Sequence, residues 1–401
     1  MKERRRVPRW ALVTGLVLAV LAITYVLVQQ RMQRRMLRQA ALVSVSPETA
    51  REIEPHLAVL PTGAVAVAWT GTSRQRGVAD RIGVRVLQGR ARALGPIAEV
   101  TVADRTLAHP VLVAGPSGDL WLVFLATRSN EVRVFVTHSP AEALAFDTPR
   151  DISKDGERVG HEKPSAVLVG DRLVIAYRTD KGPRDGVAVD PRVFSRTSEL
   201  ARALCASKSR MYTTWIDPKG GVVLEANDDG PTFQTTVSRA GEQVAPETSS
   251  CVAEGDEVTV LYGIAAGGNH PERPPLLSGA IVARSNDGGR TFDARTEVRE
   301  ANLVLLQPAM AREASGATAV VYYAGRDAPD ALGAVRWNRI ASVGDPATPA
   351  REVRAPIFLG KGDSTWLKDS LRVATAPGHL FAAFVDNADG NPHIAFAELG
   401  P

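Results

Sequence analysis

The chain has 401 residues, of which 44% are apolar and 23% are charged, a balance that is ordinary for a globular protein and excludes wholesale disorder. Its net charge of +4 gives no reason to expect a nucleic-acid partner, because much of the positive excess lies in the first 38 residues. Thirty-four glycines and 26 prolines separate many short runs of Val, Ala, Leu and Thr, which predicts an all-β protein with many turns.

The first predicted element is a membrane-spanning helix over residues 11–28. These eighteen residues carry no charge and are mostly apolar, and this is the length at which a spanning helix is expected. Basic residues in the segment 1–10 favour a cytoplasmic N-terminus, although the basic stalk 29–40 weakens this orientation. Bulky residues after the apolar run favour an uncleaved signal anchor over a cleaved signal peptide. The prediction is a single-pass membrane protein whose residues 41–401 lie in the periplasm or outside the cell.

Seven segments of the remaining chain repeat one template. Each has a proline or polar residue, a short apolar strand, a turn with glycine, and an alternating strand that ends on an aromatic residue. The copies are residues 54–69, 109–124, 163–177, 202–215, 249–262, 307–322 and 370–384. A third alternating strand and a weaker fourth follow most copies. Four antiparallel strands per unit, radially repeated, are the blade of a β-propeller.

The repeat also predicts how the propeller closes. The last copy is followed by a third strand and no fourth, whereas residues 41–46 form a lone strand before the first copy. The lone strand is expected to complete the last blade, because closure hides edges that an open array exposes. The expectation is about seven four-stranded blades over residues 41–401, with six as the alternative because the unit lengths are uneven.

The two cysteines, Cys205 and Cys251, lie in the first strands of consecutive units. Neighbouring inner strands could bring them within bridging distance, and an exported domain permits a disulfide. Two buried, reduced thiols are the equally weighted alternative. The sequence has no Cys–His metal spacing and no phosphate-binding glycine loop, so neither a metal nor a cofactor is predicted.

Residues 285–292, SNDGGRTF, fall between the third and fourth strands of the fifth unit, and residues 226–233, ANDDGPTF, hold the same place in the fourth. They share the frame S-x-D-x-G-x-T-F, which resembles the Asp box, or BNR repeat, of the sialidase-like β-propeller superfamily. The matching residues are Ser285, Asp287, Gly289, Thr291 and Phe292, with Asp228, Gly230, Thr232 and Phe233 in the second copy. Their side chains are expected to stabilise their own turn. Calcium is the weaker alternative, because one carboxylate falls short of the usual roughly six to eight oxygen ligands.

The resemblance implies a ligand site at the axial mouth, formed by loops that enter the first strands and loops that link second to third strands. Residues that follow the second strands are predicted to bind a ligand there: Arg74, Arg128, Arg178, Arg326, Asp180, Asp327 and Asp386. Guanidinium groups bind carboxylates bidentately, which suits an acidic ligand, and solvated or salt-bridged arginines are the alternative. In the loops that enter the first strands, His109 is interpreted as a packing or capping residue and Glu54 as a solvated one.

No catalytic residue is assigned. The sialidase resemblance implies an Arg-Ile-Pro motif, an Asp acid/base and a Tyr–Glu nucleophile pair. The nearest string here is Arg81-Ile82-Gly83, and the tyrosines of the repeat all lie in or at the end of second strands. Two hypotheses follow: a membrane-anchored binding or scaffold propeller for a glycan or protein ligand, or a divergent sialidase-like glycoside hydrolase that acts on acidic sugars. The missing motifs favour the first hypothesis.

Overall fold

The computed structural model describes residues 42–46, 51–72, 79–88, 93–141, 144–154, 156–180, 184–185, 192–198, 200, 202–207, 210–227, 232–267, 275–327, 332–359, 370–388 and 390–400. Ser44–Pro401 form one compact body. Within the described ranges, no helix is long and apolar enough to cross a membrane. The predicted span 11–28 and the stalk 29–40 lie outside those ranges.

The described residues form 28 strands and no helix, which confirms the all-β prediction. The first strand is β1 (Leu42–Ser44), and the others follow in seven groups. Unit 1 has β2 (Arg51–Val59), β3 (Val65–Thr72), β4 (Ala79–Gln88) and β5 (Ala93–Val100); unit 2 has β6 (Thr106–Ala114), β7 (Leu120–Arg128), β8 (Glu131–Ser139) and β9 (Arg150–Asp151). Unit 3 has β10 (Ser165–Val169), β11 (Arg172–Arg178), β12 (Arg184–Asp185) and β13 (Val193–Ser198); unit 4 has β14 (Ala203–Ala206), β15 (Met211–Ile216), β16 (Val222–Asn227) and β17 (Phe233–Thr236). Unit 5 has β18 (Ser250–Glu254), β19 (Glu257–Ala265), β20 (Leu277–Ser285) and β21 (Ala294–Val298); unit 6 has β22 (Val304–Arg312), β23 (Thr318–Gly325), β24 (Leu332–Ile340) and β25 (Arg351–Phe358); unit 7 has β26 (Leu371–Ala376), β27 (His379–Asp386) and β28 (His393–Leu399).

Each unit is a four-stranded sheet over the part of the chain that is described, and β1 supplies the fourth strand of unit 7. Units 5 and 6 are joined by one pair of residues, Leu277 and Leu305. Consecutive strands pair antiparallel in most units. In unit 3, however, the third place is taken by β13, which runs parallel to β11, and the short β12 lies at the edge. Unit 3 therefore departs from the antiparallel order that the repeat predicts.

The seven first strands form a closed ring. Each contacts the first strand of the next unit, in the order β2, β6, β10, β14, β18, β22 and β26, and β26 contacts β2. The described residues therefore hold seven units around the ring, where the sequence left six as an alternative.

The ring is closed by hydrogen bonds between the two ends of the chain. β1 lies beside β28 in the sheet of unit 7. Just after β1, Val45 N donates to Ile394 O over 2.9 Å, and Ile394 N donates to the Ser46 hydroxyl over 2.9 Å. The unpaired edge that β28 would otherwise present is thereby covered.

The core lies mainly between neighbouring units. For example, Ile82 and Val84 of unit 1 pack in one cluster with Leu122 and Phe124 of unit 2. The closing aromatic residues of the seven template copies are all buried: Trp69, Phe124, Tyr177, Trp215, Tyr262, Tyr322 and Phe384. Burial of such a side chain contributes about 1.5–3 kcal/mol, and this explains why every copy ends on a large apolar ring.

The first strands of units 1, 2 and 6 bulge at a residue that precedes proline. Glu54, His109 and Gln307 have positive φ angles of 57°, 55° and 48°, and the strand register shifts at each of them. The bulges direct side chains to the next unit. Glu54 Oε2 accepts from His109 N over 2.7 Å, and Gln307 Oε1 accepts from Ser370 N over 2.8 Å. Glu54 is buried rather than solvated, and it holds units 1 and 2 together.

Candidate functional site

The antiparallel order gives each unit two distinct edges. The first strand begins, the second ends and the third begins at one edge, which we call the mouth edge. The opposite edge, called the far edge, carries the turns between first and second strands and the connections between third and fourth strands. The residues predicted to bind a ligand follow second strands and therefore belong to the mouth edge.

The SNDGGRTF segment lies at the far edge, where its side chains close a turn. Ser285 Oγ donates to Asp287 Oδ1 over 2.6 Å and accepts from Gly289 N over 2.8 Å. Asp287 also accepts from Thr291 N over 2.9 Å and from Thr291 Oγ1 over 2.8 Å. Although burial opposes ionisation, these hydrogen bonds lower the pKa of the Asp287 carboxyl to about 2. Gly289 has a φ of +89°, which favours glycine.

The remaining Asp-box residues also lie at or near the far edge where they are described. Phe292 packs against the core between units 4 and 5, as does Phe233, the first residue of β17. Arg290 of the intact copy lies over the Phe233 ring, 4.7 Å from its centroid. Thr232 directly precedes β17, and Asp228 and Gly230 lie outside the described residues. The two Asp-box segments thus contact each other across neighbouring units.

The predicted arginines that are described lie at the mouth edges of three different units. Arg128 is exposed at the end of β7, and Arg326 is exposed just after β23. Arg178 ends β11, bonds to Glu162 Oε1 and keeps 45% of its side chain exposed. Arg74 lies outside the described residues.

The predicted carboxylates take three different places. Asp180 caps a loop, because its Oδ1 accepts from Arg158 N over 3.1 Å. Asp327 is exposed beside Arg326. Asp386 is buried, with 4% of its side chain exposed, and Arg354 Nε lies 2.6 Å from its Oδ2. The structure thus places Asp386 in an inter-unit salt bridge rather than on a surface that a ligand can reach.

Three arginines surround Glu131 at the mouth edge of unit 2, and the sequence did not single out this group. Arg133 Nε donates to Glu131 Oε1 over 2.8 Å, while Arg105 Nη2 lies 3.9 Å from Oε2. Hydrogen bonding by Arg133, aided by the charges of Arg133, Arg105 and Arg128, lowers the pKa of the Glu131 carboxyl. Half of the Glu131 side chain is exposed. The group carries more positive than negative charge, and Arg128 is its solvent-exposed arginine, since the Arg105 and Arg133 side chains are mostly buried.

Cys205 and Cys251 form a disulfide between β14 and β18, the first strands of units 4 and 5, with 5.6 Å between their Cα atoms. The two cysteines are 46 residues apart, so the bridge closes a long loop. Among the described residues, no group of three or more His, Cys, Asp or Glu side chains could hold a metal ion. The chemistry available at the described mouth edge is therefore that of guanidinium groups, carboxylates and hydroxyls.

The fold is shared with solved structures of low sequence identity. An α-L-arabinofuranosidase from Fusarium graminearum, in complex with an iminosugar inhibitor, matches 90% of this chain and 97% of its own at 12% identity and a TM-score of 0.51. The endosialidase of phage phi92 matches 90% of this chain and 68% of its own at 8% identity and a TM-score of 0.51. The chain has the sialidase-like β-propeller fold. This confirms the predicted fold, and at these identities the likeness extends to the fold alone.

A third solved propeller, the Hadza microbial sialidase Hz136, matches 87% of this chain at 12% identity and a TM-score of 0.49, and this chain spans 66% of its length. No protein-family model and no curated protein matches the chain. Within the propeller fold, each of the seven units is a blade.

Two blades of the propeller contain a Tyr–Glu–Arg cluster that the sequence reading missed. In blade 5, Tyr262 donates to Glu242 Oε2 over 2.7 Å, and Arg295 Nη2 lies 3.0 Å from Glu242 Oε1. In blade 6, Tyr322 donates to Glu300 Oε1 over 2.8 Å, and Arg336 Nη1 lies 3.0 Å from Glu300 Oε2. Each glutamate precedes a first strand, and each tyrosine is the closing aromatic of a second strand.

The repetition of the Tyr–Glu–Arg cluster indicates a structural role. A catalytic pair is needed once, whereas a clamp that fixes the approach to a first strand is useful in each blade. Burial and then Glu300 raise the pKa of the Tyr322 hydroxyl, which keeps it protonated as a donor. The signal that could have found these clusters is a glutamate that recurs eight or nine residues before one first-strand residue, the one that pairs with the residue preceding the closing aromatic.

Glu52 is a buried carboxyl group at the mouth edge of blade 1. Its side chain is fully buried, and Arg81 Nη2 lies 3.8 Å from its Oε1. Burial raises the pKa of the Glu52 carboxyl to about 8, against the opposing effect of the Arg81 charge. Gly71 leaves room for this contact, because a Cβ there would lie 3.0 Å from both Glu52 Oε2 and Arg81 Nε. Glu52 is therefore protonated at neutral pH.

Proposed function

We propose that the chain is an exported, membrane-anchored propeller that binds an acidic glycan at its mouth edge. The observation that carries this proposal is the group formed by Arg105, Arg128 and Arg133 around the half-exposed Glu131. Arg105 and Arg133 are mostly buried and contact Glu131, whereas Arg128 is exposed and its guanidinium group can bind a ligand carboxylate bidentately. The matched arabinofuranosidase and endosialidase are propellers whose names refer to glycans, which supports a glycan as the ligand class.

Export is supported by the disulfide and by the apolar run. A disulfide such as Cys205–Cys251 persists in an oxidising compartment, and residues 11–28 have the length and composition of a signal anchor. Both features fit a propeller in the periplasm or outside the cell, tethered by its N-terminal segment.

Binding is favoured over hydrolysis by the contacts of the acidic groups. The carboxylates of Glu54, Glu242, Glu300 and Asp386 are committed to contacts within or between blades. The two bonded Tyr–Glu pairs repeat at equivalent places. A glycoside hydrolase uses two carboxyl groups that flank one sugar, and no such pair is assigned among the described residues.

A divergent glycoside hydrolase is the second candidate, and one observation favours it. Glu52 is protonated at neutral pH, as a general acid must be. Its complete burial argues against direct contact with a sugar in this conformation. A group that donates a proton to a substrate must come within hydrogen-bond distance of it.

The test is a titration of the full-length protein in detergent with sialyllactose, and with lactose as the neutral control. We expect sialyllactose to bind and lactose to bind more weakly. Arg128→Ala should weaken sialyllactose binding about tenfold, the loss expected for a charge-assisted hydrogen bond. Arg172→Ala, which removes an exposed arginine at the far edge, is the matched control and should bind normally. Equal binding by all three proteins would contradict the proposed site.

Hydrolysis is tested separately with a fluorogenic sialoside. Turnover that Glu52→Gln abolishes would support the second candidate. Binding without turnover would support the binding propeller. If neither sugar binds and nothing is hydrolysed, a protein ligand takes precedence over a glycan.

A further inference from the structure

Blade 3 has a third pair of the Tyr–Glu type, which differs from its two counterparts. The strand register shows that the three tyrosines are equivalent. In blade 3, Tyr177 directly follows the residue that pairs with Ser165 of the first strand. Tyr262 in blade 5 and Tyr322 in blade 6 directly follow the residues that pair with Ser250 and Ala309. Glu157 precedes Ser165 by the same eight residues that separate Glu242 from Ser250. The three glutamates and three tyrosines therefore occupy matching places in blades 3, 5 and 6.

The carboxylate of Glu157 is buried and lacks a hydrogen-bond partner among the described residues. Glu157 is only 7% exposed, and neither of its oxygens accepts a hydrogen bond from that part of the chain. In blades 5 and 6 a guanidinium group and a tyrosine hydroxyl satisfy the carboxylate. A buried carboxylate without a partner is costly, because it loses its hydration and gains no compensating charge.

The sheet of blade 3 supplies hydroxyl groups where blade 6 supplies an arginine. Tyr322 lies opposite Arg336 on the third strand, whereas Tyr177 lies opposite Thr197. Burial raises the pKa of the Tyr177 hydroxyl, and the charge of Arg133 in blade 2 opposes this effect. The Arg133 guanidinium group is already bonded elsewhere, because its Nε donates to Glu131 and its Nη1 donates to the Lys154 carbonyl. Among the described residues, no guanidinium group forms a hydrogen bond or ion pair with Glu157, whereas Arg336 pairs with Glu300.

Glu157 shares one face of blade 3 with several hydroxyl groups. Val159 pairs with Thr179; Glu157 lies two residues before Val159 and Tyr177 two residues before Thr179, so all four side chains lie on the same face. Val159 and Tyr177 pack in the core between blades 2 and 3. The Thr179 hydroxyl is also buried and has no hydrogen-bond partner among the described residues, and the Ser195 hydroxyl lies beside Tyr177.

We propose that Glu157, with the hydroxyls of Tyr177 and Thr179, binds a monovalent cation such as Na⁺ or K⁺. One positive charge would replace the guanidinium group of blades 5 and 6 and neutralise the single carboxylate. Oxygen donors suit a hard cation, and one carboxylate provides too little charge for a strong Ca²⁺ site. The cation would hold the segment before β10 to the second strand of blade 3, as the Tyr–Glu hydrogen bond does in the other two blades. This inference does not depend on the function of the mouth edge.

The experiment measures thermal unfolding of the full-length protein in detergent, with sodium, potassium or N-methyl-D-glucamine chloride at equal ionic strength. Because a ligand that binds only the native state stabilises it by mass action, the Tm should rise by a constant increment for each tenfold increase in Na⁺ or K⁺ above the Kd. Glu157→Gln should remove this dependence. Glu300→Gln, the matched change in blade 6, should lower the Tm and retain the dependence.

A direct readout is the anomalous signal of Tl⁺, a heavy substitute for K⁺, in crystals of the same protein. A peak beside Glu157 that disappears in Glu157→Gln would support the site. The proposal is overturned if the three chlorides give the same Tm or if Glu157→Gln keeps the dependence. Failure of sugar binding would leave this result unaffected.

Discussion

At the scale of single residues, Glu52 links folding to pH. An unfolded glutamate ionises near its ordinary pKa of 4.5, whereas the folded Glu52 ionises near 8. Between these two values the folded state holds a proton that the unfolded state releases. The contribution of Glu52 to stability therefore falls as pH rises from about 4.5 to about 8, and it changes no further above that range.

Replacing Glu52 with glutamine should remove this dependence. Glu52→Gln keeps the shape of the side chain without an ionisable proton, so we expect the variant to be more stable by about 1–3 kcal/mol at pH 7. Urea unfolding at a series of pH values measures the difference. The control is Glu99→Gln, since Glu99 lies 3.5 Å from the same Arg81 but is 55% exposed and should change stability little. Parallel pH profiles for the native protein and Glu52→Gln would refute the prediction.

Asp287 shows how one side chain can stabilise a turn without serving a ligand. It accepts hydrogen bonds from the backbone of Arg290 and Thr291, and Asp287→Ala would leave both donors to solvent. We expect a loss of about 1 kcal/mol in urea unfolding. The loss should be present above pH 3.8 and should disappear as pH falls towards 2, where the native carboxyl itself is protonated. Sialyllactose binding should be unchanged, and a changed affinity would place the Asp box closer to the ligand site than the far edge.

At the scale of strands, the disulfide joins two first strands that have no backbone pairing to each other. Replacing Cys205 and Cys251 together by serine frees a 46-residue loop in the unfolded state, for which the expected loss of stability is about 2–4 kcal/mol. The native protein should lose the same stability when a reductant is added. The double variant should be insensitive to reductant, and equal melting of all samples would show that the bridge does not contribute.

Strand positions were predictable because their signals are local. Alternating apolar residues and a closing aromatic such as Trp69 or Phe384 define a second strand within one short segment. β13 was not predicted, since residues 193–198 are short and polar and pair parallel with β11. The prolines of the repeated template marked the places where the first strands bulge. The hydrogen bonds that the bulged residues make to the next blade could not be predicted, because they depend on which blades become neighbours.

The ion pairs at the mouth edge were not predictable from adjacency in the sequence. Arg178 lies near Asp180 in the chain, yet Arg178 pairs with Glu162, and Asp180 binds the backbone of Arg158. Asp386 pairs with Arg354 of the preceding blade. Which side chains form ion pairs depends on which blades become neighbours in the ring. Residue type and spacing therefore predicted that the mouth edge is rich in arginine and carboxylate groups, but not which of these groups pair with each other.

At the scale of the whole molecule, stability depends on the ring being closed by residues from both ends of the chain. Val45 and Ser46 hydrogen-bond to Ile394, and Arg85 Nη1 of blade 1 donates to Val45 O over 2.7 Å. These contacts join blade 1 to blade 7 as well as completing the sheet. A ring with one unmade junction exposes both an apolar blade face and the edge of β28.

A chain that begins at residue 47 should therefore fold less well than one that begins at residue 41, although only six residues differ. The shorter chain lacks β1 and the bonds of Val45 and Ser46 to Ile394, so we expect a lower Tm, a broader transition and aggregation through β28. A synthetic peptide of residues 41–50 should restore the Tm by adding the missing strand, because an exposed edge can accept a strand in trans. Ser46→Ala, which removes one acceptor, should cost only about 1 kcal/mol. Identical melting of the two chains, or no response to the peptide, would show that the ring closes without β1.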